Sequence, residues 1–337
     1  MNKAGASAMK AVEIRRIGDH FELAPTTRPV PVAGAGEVLI RVHAAGVNGH
    51  DVHQVHNGGH PVLPGETDLP GLEVSGTVVD AGPDVTRWKA GDRVCALLRG
   101  GGYAEFAVAP EGNCLPIPGA LGWAEAAVLS ETFFTVWSNV FVDAGLSAGE
   151  SFLMNGGTSG IGVAAIQIAS VLGHRVFATA RGAAKVALCA RLGASRAIDY
   201  ETEDFAEVIQ TETGGRGVDV ILDIVAGDYL EKDIAALAEG GRLVFIGGAR
   251  GFRTEIDLRQ LMRKRLTVGG SLLRPRSNAF KAQVAAELER KIWPHVASGR
   301  IEPMLDRTFQ LDKAADAIAC LEKRRHIGKV ALLVGEP

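Results

Sequence analysis

The sequence predicts an α/β protein of two domains, one β-rich and one wound around a parallel sheet with helices on both faces. Three observations carry this. From Met9 to about Phe106, short alternating runs are separated by glycine and proline turns, the mark of half-buried strands. From about Trp123, apolar strand-like runs alternate with helical ones, the pattern of a doubly wound sheet. Between residues 152 and 179 a glycine turn joins a strand to an apolar helix and then a second strand, the opening of a βαβ unit.

Taken in order, residues 1–8 read as a small polar extension without the apolar core of a signal peptide. Gly36-Glu-Val-Leu-Ile-Arg-Val-His43 alternates as a strand. Residues 73–80 and 92–97 repeat the theme, with Ala81-Gly-Pro83 and Ala90-Gly91 as turns. Strands this closely spaced predict a small barrel or sandwich. Residues 54–71 hold four Gly and three Pro and read as a loop. In the second domain, strands are expected at 152–155, 175–179, 196–199, 218–223, 242–246 and, last in the sheet, 266–273. The helices of this domain are expected at 183–192, 203–211 and 227–238, besides the one after the turn. A helix over 278–297, another over 314–323 and a strand over 329–334 lack any glycine fingerprint and return to the first domain. The predicted organisation is therefore 9–130 and 274–337 around a central 131–273.

Composition narrows the function. A formal net charge of −3, with 47% hydrophobic and 22% charged residues, gives no electrostatic case for nucleic acid or an anionic membrane as main partner. No uninterrupted apolar run approaches the roughly 20 residues of a membrane span. Cys95, Cys114, Cys189 and Cys320 are scattered, without C-x-x-C, so neither a disulfide framework nor a zinc ribbon is indicated and a reduced cytoplasmic setting fits.

Gly160-Ile-Gly162-Val-Ala-Ala165 fits the dinucleotide pattern G-x-G-x-x-G/A. With 42 glycines in 337 residues, chance matches are common, and the flanking strand and helix are what give this one weight. Gly157, Ser159, Gly160, Ile161 and Gly162 are its cofactor-binding candidates, with a pyrophosphate at the positive end of the helix. The acidic residue that selects a free ribose hydroxyl is missing from the end of the second strand. Ala180 stands there, followed by Arg181 and Lys185, and no carboxylate lies between Gly162 and Asp199. A 2′-phosphate suits that arrangement, so NADPH is expected over NADH. Val225 and Gly247-Gly248 close two strands at their carboxyl ends, where such sheets bind ligands.

A family resemblance rests on Ala45-Gly-Val-Asn48 with Asp51, Pro70-Gly-Leu-Glu-Val-Ser-Gly76, Trp88-Lys-Ala-Gly-Asp-Arg-Val94 and Gly101-Gly-Tyr-Ala-Glu105. Residues 155–162, Ile198-Asp-Tyr200 and Gly328-Lys-Val330 extend it. The chain resembles the zeta-crystallin-type quinone oxidoreductases of the zinc-free medium-chain dehydrogenase/reductase superfamily. It is most similar to their tumour-suppressor-inducible branch, by Ala96-Leu-Leu-Arg-Gly-Gly-Gly102, Pro110-Glu-Gly112 and Ser271-Leu-Leu-Arg-Pro-Arg276.

The resemblance implies a GroES-like substrate domain and a Rossmann domain, with metal-free hydride or electron transfer from NADPH to a quinone in the cleft between them. Zinc-dependent relatives place a Cys and a His ligand where Asn48 and Leu72 stand, and their cysteine-rich structural lobe is missing, so no metal is expected. His50, His53, His56 and His60 are the alternative metal set, with solvated histidines the simpler reading. Asn48 and Thr135 are expected against the nicotinamide, Asp51 behind Asn48, and His60 near the quinone in place of a family Tyr. Tyr200 joins Arg181 and Lys185 around the 2′-phosphate. Leu272 and Leu273 are expected at the carboxamide, with Lys329 a further cofactor candidate. An edge strand at 266–273 implies a homodimer. Two other functions fit the same residues: an NADPH-dependent enoyl or alkenal reductase, and a structural or RNA-binding protein that retains NADPH.

Overall fold

The computed structural model describes residues 8–59 and 67–335. They form two compact units, one from residues up to Thr132 together with those from Ser277 onward, the other spanning Phe133–Arg276.

The first unit is GroES-like and carries a seven-stranded sheet. Its order runs Leu305–Gln310, Lys329–Leu333, Glu37–Val47, Glu73–Ala81, Arg93–Leu97 and Cys114–Pro116, with Phe106–Pro110 also paired to Glu37–Val47. Pairing is antiparallel except between Leu305–Gln310 and Lys329–Leu333. Val38, Ile40, Val42, Val74, Val78 and Val94 fill the core. β-branched side chains suit this pleated, buried surface. Two registers position the site. Val330 pairs with Val47, which brings Lys329 beside Asn48. Ala45 pairs with Val74, which sets Gly46 opposite Glu73. The loop expected at 54–71 starts later, because Gln54–His56 complete the helix Gly49–His56. A single helix over 278–297 is not formed. Asn278–Lys291 and Trp293–Ala297 are separate, with Pro294 in the first turn of the second, where its missing N–H is tolerated.

The second unit is a Rossmann fold. Six parallel strands lie in the order Arg196–Asp199, Arg175–Ala180, Ser151–Asn155, Val218–Asp223, Leu237–Phe245, Thr267–Gly270. Numbered along the chain this is 3-2-1-4-5-6, and the order reverses between Ser151–Asn155 and Val218–Asp223. Every residue of those two strands is buried, as a sheet covered on both faces requires. The helix expected to reach residue 238 stops at Ala236. Lys264 Nζ donates to the carbonyls of Ile234, Ala235 and Leu237, so a cation closes the helix end from outside. After the α-helix Ser130–Val136 the chain widens into π-helical winding over Trp137–Asp143, which the apolar periodicity did not foretell.

Candidate active site

The glycine turn is closely packed between strand and helix. Gly156 takes φ +90°, and the amides of Gly156 and Gly157 donate to Thr179 Oγ1 (3.1 Å) and Thr179 O (2.8 Å). Ser159 caps the helix Gly160–Val171, its Oγ accepting from Gly162 N at 3.0 Å. By geometry the amides of Gly160 and Ile161 have no partner within the helix, and free amides at a helix start suit an anion. A Cβ on Gly162 would lie 2.3 Å from Gly156 O and 2.6 Å from Gly157 C, so only glycine lets helix and turn meet here.

Around Arg181 the sheet adds what linear spacing missed. Asp199 pairs with Ala180 across adjacent strands, and its carboxylate accepts from Gly182 N at 3.0 Å. Arg181 is exposed, its Nε 4.0 Å from Glu201 Oε1, an ion pair too open to hold the guanidinium strongly. Carboxylates therefore stand close to this loop, although none precedes Asp199 in the chain after Gly162. Lys185 lies half-buried on the following helix. Tyr200 meets Tyr229 edge-on (6.3 Å between centroids), and Arg250 lies 5.0 Å over the Tyr229 ring. With Phe205, Asp228 and Lys232 these residues line a polar cavity of about 60 Å³. That Tyr229, Lys232 and Arg250 gather beside Tyr200 is not legible in the sequence, because they sit on a helix and a loop far along the chain.

At the switch in strand order, the amides of Val225 and Ala226 donate to Asp223 at 2.5 and 2.9 Å. Gly247 and Gly248 begin a segment zipped to that loop by Ala249 N–Ile224 O (3.1 Å) and Arg250 N–Val225 O (2.8 Å). Thr135 is buried in its helix, and Asn139, from the π-helical winding, donates to Thr135 O (2.8 Å) while accepting from Ser271 Oγ (2.6 Å). The segment 271–273 is thus tied to the element bearing Thr135. Leu273 is buried but Leu272 is 73% exposed, so the expected pair splits.

In the first unit, Asn48, Asp51 and Lys329 do come together. Asn48 is extended (φ −126°, ψ 155°) at the start of the helix Gly49–His56, and its N–H donates to Asp51 Oδ2 at 2.8 Å. Tyr103 O–H donates to the same oxygen at 2.7 Å. Asp51 is fully buried, so it orients Asn48 and does not itself face a reactant. Lys329 Nζ donates to Val47 O (2.9 Å) and to Asn48 Oδ1, and forms an ion pair with Glu73 (2.8 Å). All three ammonium donors of Lys329, expected as a cofactor contact, are used within this cluster. Asn48 Nδ2 donates to Glu73 Oε1 at 3.1 Å, and Glu131 N donates to Glu73 Oε2 at 2.8 Å. Gly46 makes room for this carboxylate, since a Cβ there would fall 2.2 Å from Glu73 Oε1. A donor-only lysine on one side and an acceptor-only carboxylate on the other leave the Asn48 amide a single orientation. Leu72, beside Glu73, is apolar and buried. Among the described residues no group of three or more His, Cys, Asp or Glu is placed to hold a metal. His60 lies outside the described residues.

The acids of this cluster make the unit sensitive to pH. Burial pushes Asp51 up from 3.8 to about 6, against the hydrogen bonds from Tyr103 and Asn48 and the nearby Lys329. Burial, with Glu73 alongside, pushes Glu131 up from 4.5 to about 8. Carboxyls with raised folded values favour the fold below their ordinary pKa, and that contribution is lost as pH climbs through the raised value. Stability should therefore fall between about pH 4 and about pH 8. Glu131→Gln should flatten the upper half of that decline, by something on the order of 1–2 kcal/mol near pH 8, as read from thermal midpoints across pH. A decline unchanged in the variant would show Glu131 ionised throughout.

Two family models match: an alcohol dehydrogenase GroES-like domain over residues 34–119 and a zinc-binding dehydrogenase over 160–290. A quinone oxidoreductase of Rattus norvegicus is 32% identical over 334 residues, covering 98% of this chain and 99% of that protein. The chain belongs to the quinone oxidoreductase family. It is thereby an oxidoreductase of the medium-chain dehydrogenase/reductase superfamily, whose chemistry draws on a nicotinamide dinucleotide. Two solved structures are similar over nearly the whole chain. A mycobacterial protein complexed with NADPH has a TM-score of 0.82 at 29% identity, covering 96% of this chain and 99% of that one. The enoyl reductase CurK has a TM-score of 0.81 at 27% identity, with 97% and 99% covered.

Proposed function

We propose that this chain is an NADPH-dependent quinone oxidoreductase working as a homodimer in a reducing, cytoplasmic setting. The observation that carries the cofactor half is the Gly162 cradle, where even a methyl group would strike the backbone. Full-length similarity to a protein named quinone oxidoreductase supports the acceptor. Gly157, Ser159, Gly160, Ile161 and Gly162 hold the pyrophosphate. Arg181, Lys185 and Tyr200 take the 2′-phosphate, and Val225, Gly247, Gly248 and Leu273 line the remaining length. Bound NADPH supplies a hydride or its electrons. Asn48 and Thr135 orient the ring from which these leave, and Asn48, with Nδ2 held toward Glu73, contributes a fixed amide dipole. Quinone oxygens become stable phenolates on reduction, so the protein has to orient and exclude water more than to move protons.

The dimer reading rests on an uncovered edge. All four residues of Thr267–Gly270 are exposed, as are Phe252, Leu258, Met262 and Leu272. Single exposed apolar side chains are ordinary on a monomer, but a free strand edge suits edge-to-edge pairing about a two-fold axis. Light scattering at micromolar concentration should give twice the chain mass, and a monomer would refute it. Four free thiols suit the reducing compartment.

Activity is tested by loss of nicotinamide absorbance with phenanthrenequinone or benzoquinone as acceptor, beside NADH and a 2-enal. Fast NADPH-dependent quinone turnover is expected. Arg181→Ala should raise KM for NADPH roughly tenfold or more, leaving NADH unchanged, because a charge-assisted contact is lost. Equal use of NADH would overturn the role of Arg181. The likeness to an enoyl reductase favours a second reading, reduction of an activated C=C bond, which turnover of the enal alone would establish.

A further inference from the structure

At the reversal of strand order, under the two proposed cofactor loops, a line of buried polar side chains runs from one loop to the other. Gly156 N–H donates to Thr179 Oγ1 (3.1 Å), and Thr179 Oγ1 to Asn155 Oδ1 (3.0 Å). Asn155 Nδ2 donates to Asp233 Oδ1 at 2.6 Å. Asp233, on the helix Tyr229–Ala236, is in hydrogen-bond contact with Asp223, and both are fully buried. Asp223 in turn accepts from Val225 N and Ala226 N. Ala226 is a non-glycine residue at φ +54°, a strained conformation that this bond helps to hold.

The directions of these bonds decide where a proton sits. Thr179 has a single O–H, and its oxygen already takes the Gly156 amide, so its proton goes to Asn155 Oδ1. The Asn155 NH₂ must then face Asp233 Oδ1, which therefore accepts. Both oxygens of Asp223 accept backbone amides. Two facing carboxylates sealed from water cannot both be ionised. Asp233 Oδ2 is the one oxygen of the pair that accepts from no donor among the described residues, so a proton there disturbs none of the existing bonds.

We propose that Asp233 is a positioning residue, kept as a neutral carboxylic acid, whose Oδ2–H donates to Asp223 and so ties the loop at Gly156 to the loop at Val225–Ala226. Burial, with Asp223 alongside, holds the Asp233 carboxyl well above its usual range, in agreement with the bond directions. The positioning role rests on the cofactor reading above, whereas the protonation does not. Asparagine at 233 reproduces both bonds of the neutral acid, with its carbonyl toward Asn155 and its NH₂ toward Asp223. At 223, asparagine would replace an accepting oxygen by a donor facing a backbone N–H.

The test uses the full chain. In the infrared difference spectrum between wild type and Asp233→Asn near neutral pH, the wild type should show a protonated-acid C=O stretch. A lost carboxylate stretch in its place would overturn the proposal. NADPH affinity, followed by nicotinamide fluorescence, should be held within roughly threefold in Asp233→Asn and weakened roughly tenfold or more in Asp233→Leu and Asp223→Asn. Equal loss in folded Asp233→Asn and Asp223→Asn would also overturn it, even if Asp233→Leu fails to fold. Should the wild type not bind NADPH, the cofactor reading fails and the infrared result alone decides whether Asp233 is neutral.

Discussion

Gly162→Ala is expected to weaken NADPH binding by about 100-fold, close to 3 kcal/mol, while leaving the fold of the second unit recognisable. The added methyl group would meet Gly156 O at 2.3 Å, Gly157 C at 2.6 Å and Gly157 Cα at 2.7 Å, all of them backbone atoms. No side chain can swing away to relieve the contact, so turn and helix must separate. Opening that contact also pulls Gly162 N from Ser159 Oγ, now 3.0 Å apart, and removes the cap that sets the helix start. Overpacking alone costs roughly 1–3 kcal/mol, and here that cost falls on the atoms that hold the phosphates. Titration by nicotinamide fluorescence checks it. Wild-type affinity in the Gly162→Ala variant would mean that the pyrophosphate lies elsewhere. Gly182→Ala serves as the contrast. Nothing lies within 4 Å of its Cβ, and its φ of +77° makes it a strained substitution without a clash.

How much of this was legible beforehand depends on how local the cause is. The strand, turn and helix around Gly160–Gly162 are set by neighbours within a few residues, and strands such as 218–223 and 196–199 fall where the apolar runs end. Asn48 and Asp51 are three residues apart, and their contact follows from a helix start. Other features need the sheet. Lys329 is 281 residues from Asn48, and only the pairing of Val330 with Val47 makes them neighbours. From the chain alone it reads as a spare cation. Asp199 escaped the search for a carboxylate near Arg181 for the same reason, because it arrives from the adjacent strand at Ala180. The π-helical winding at Trp137–Asp143 leaves no periodic trace in so apolar a stretch, although Asn139 is the residue through which Thr135 and Ser271 meet. The exposure of Leu272 depends on an edge strand only four residues long.

Lys329→Met should destabilise the first unit by about 3–5 kcal/mol, because it removes the cation paired with a carboxylate that water cannot reach. The Lys329 and Glu73 side chains are 8% and 0% exposed, and their charges lie 2.8 Å apart. Of the donors to Glu73, Asn48 Nδ2 and Glu131 N remain, both neutral. The double variant Lys329→Met, Glu73→Gln restores neutrality and should recover most of that stability. It should not recover activity. The introduced glutamine can keep its one oxygen for Glu131 N only by turning its NH₂ toward Asn48, and Asn48, without Lys329 on its carbonyl, then flips to accept. The amide dipole proposed to face the reacting ring is reversed, with kcat/KM for quinone reduction remaining down roughly tenfold or more. Stability measured by thermal melting and activity measured by NADPH consumption thus separate in the double variant, which a Lys329–Glu73 pair serving only to balance charge would not produce. If stability and turnover return together, Lys329 and Glu73 merely neutralise each other, and the orientation of Asn48 is held by Asp51 and the helix start alone.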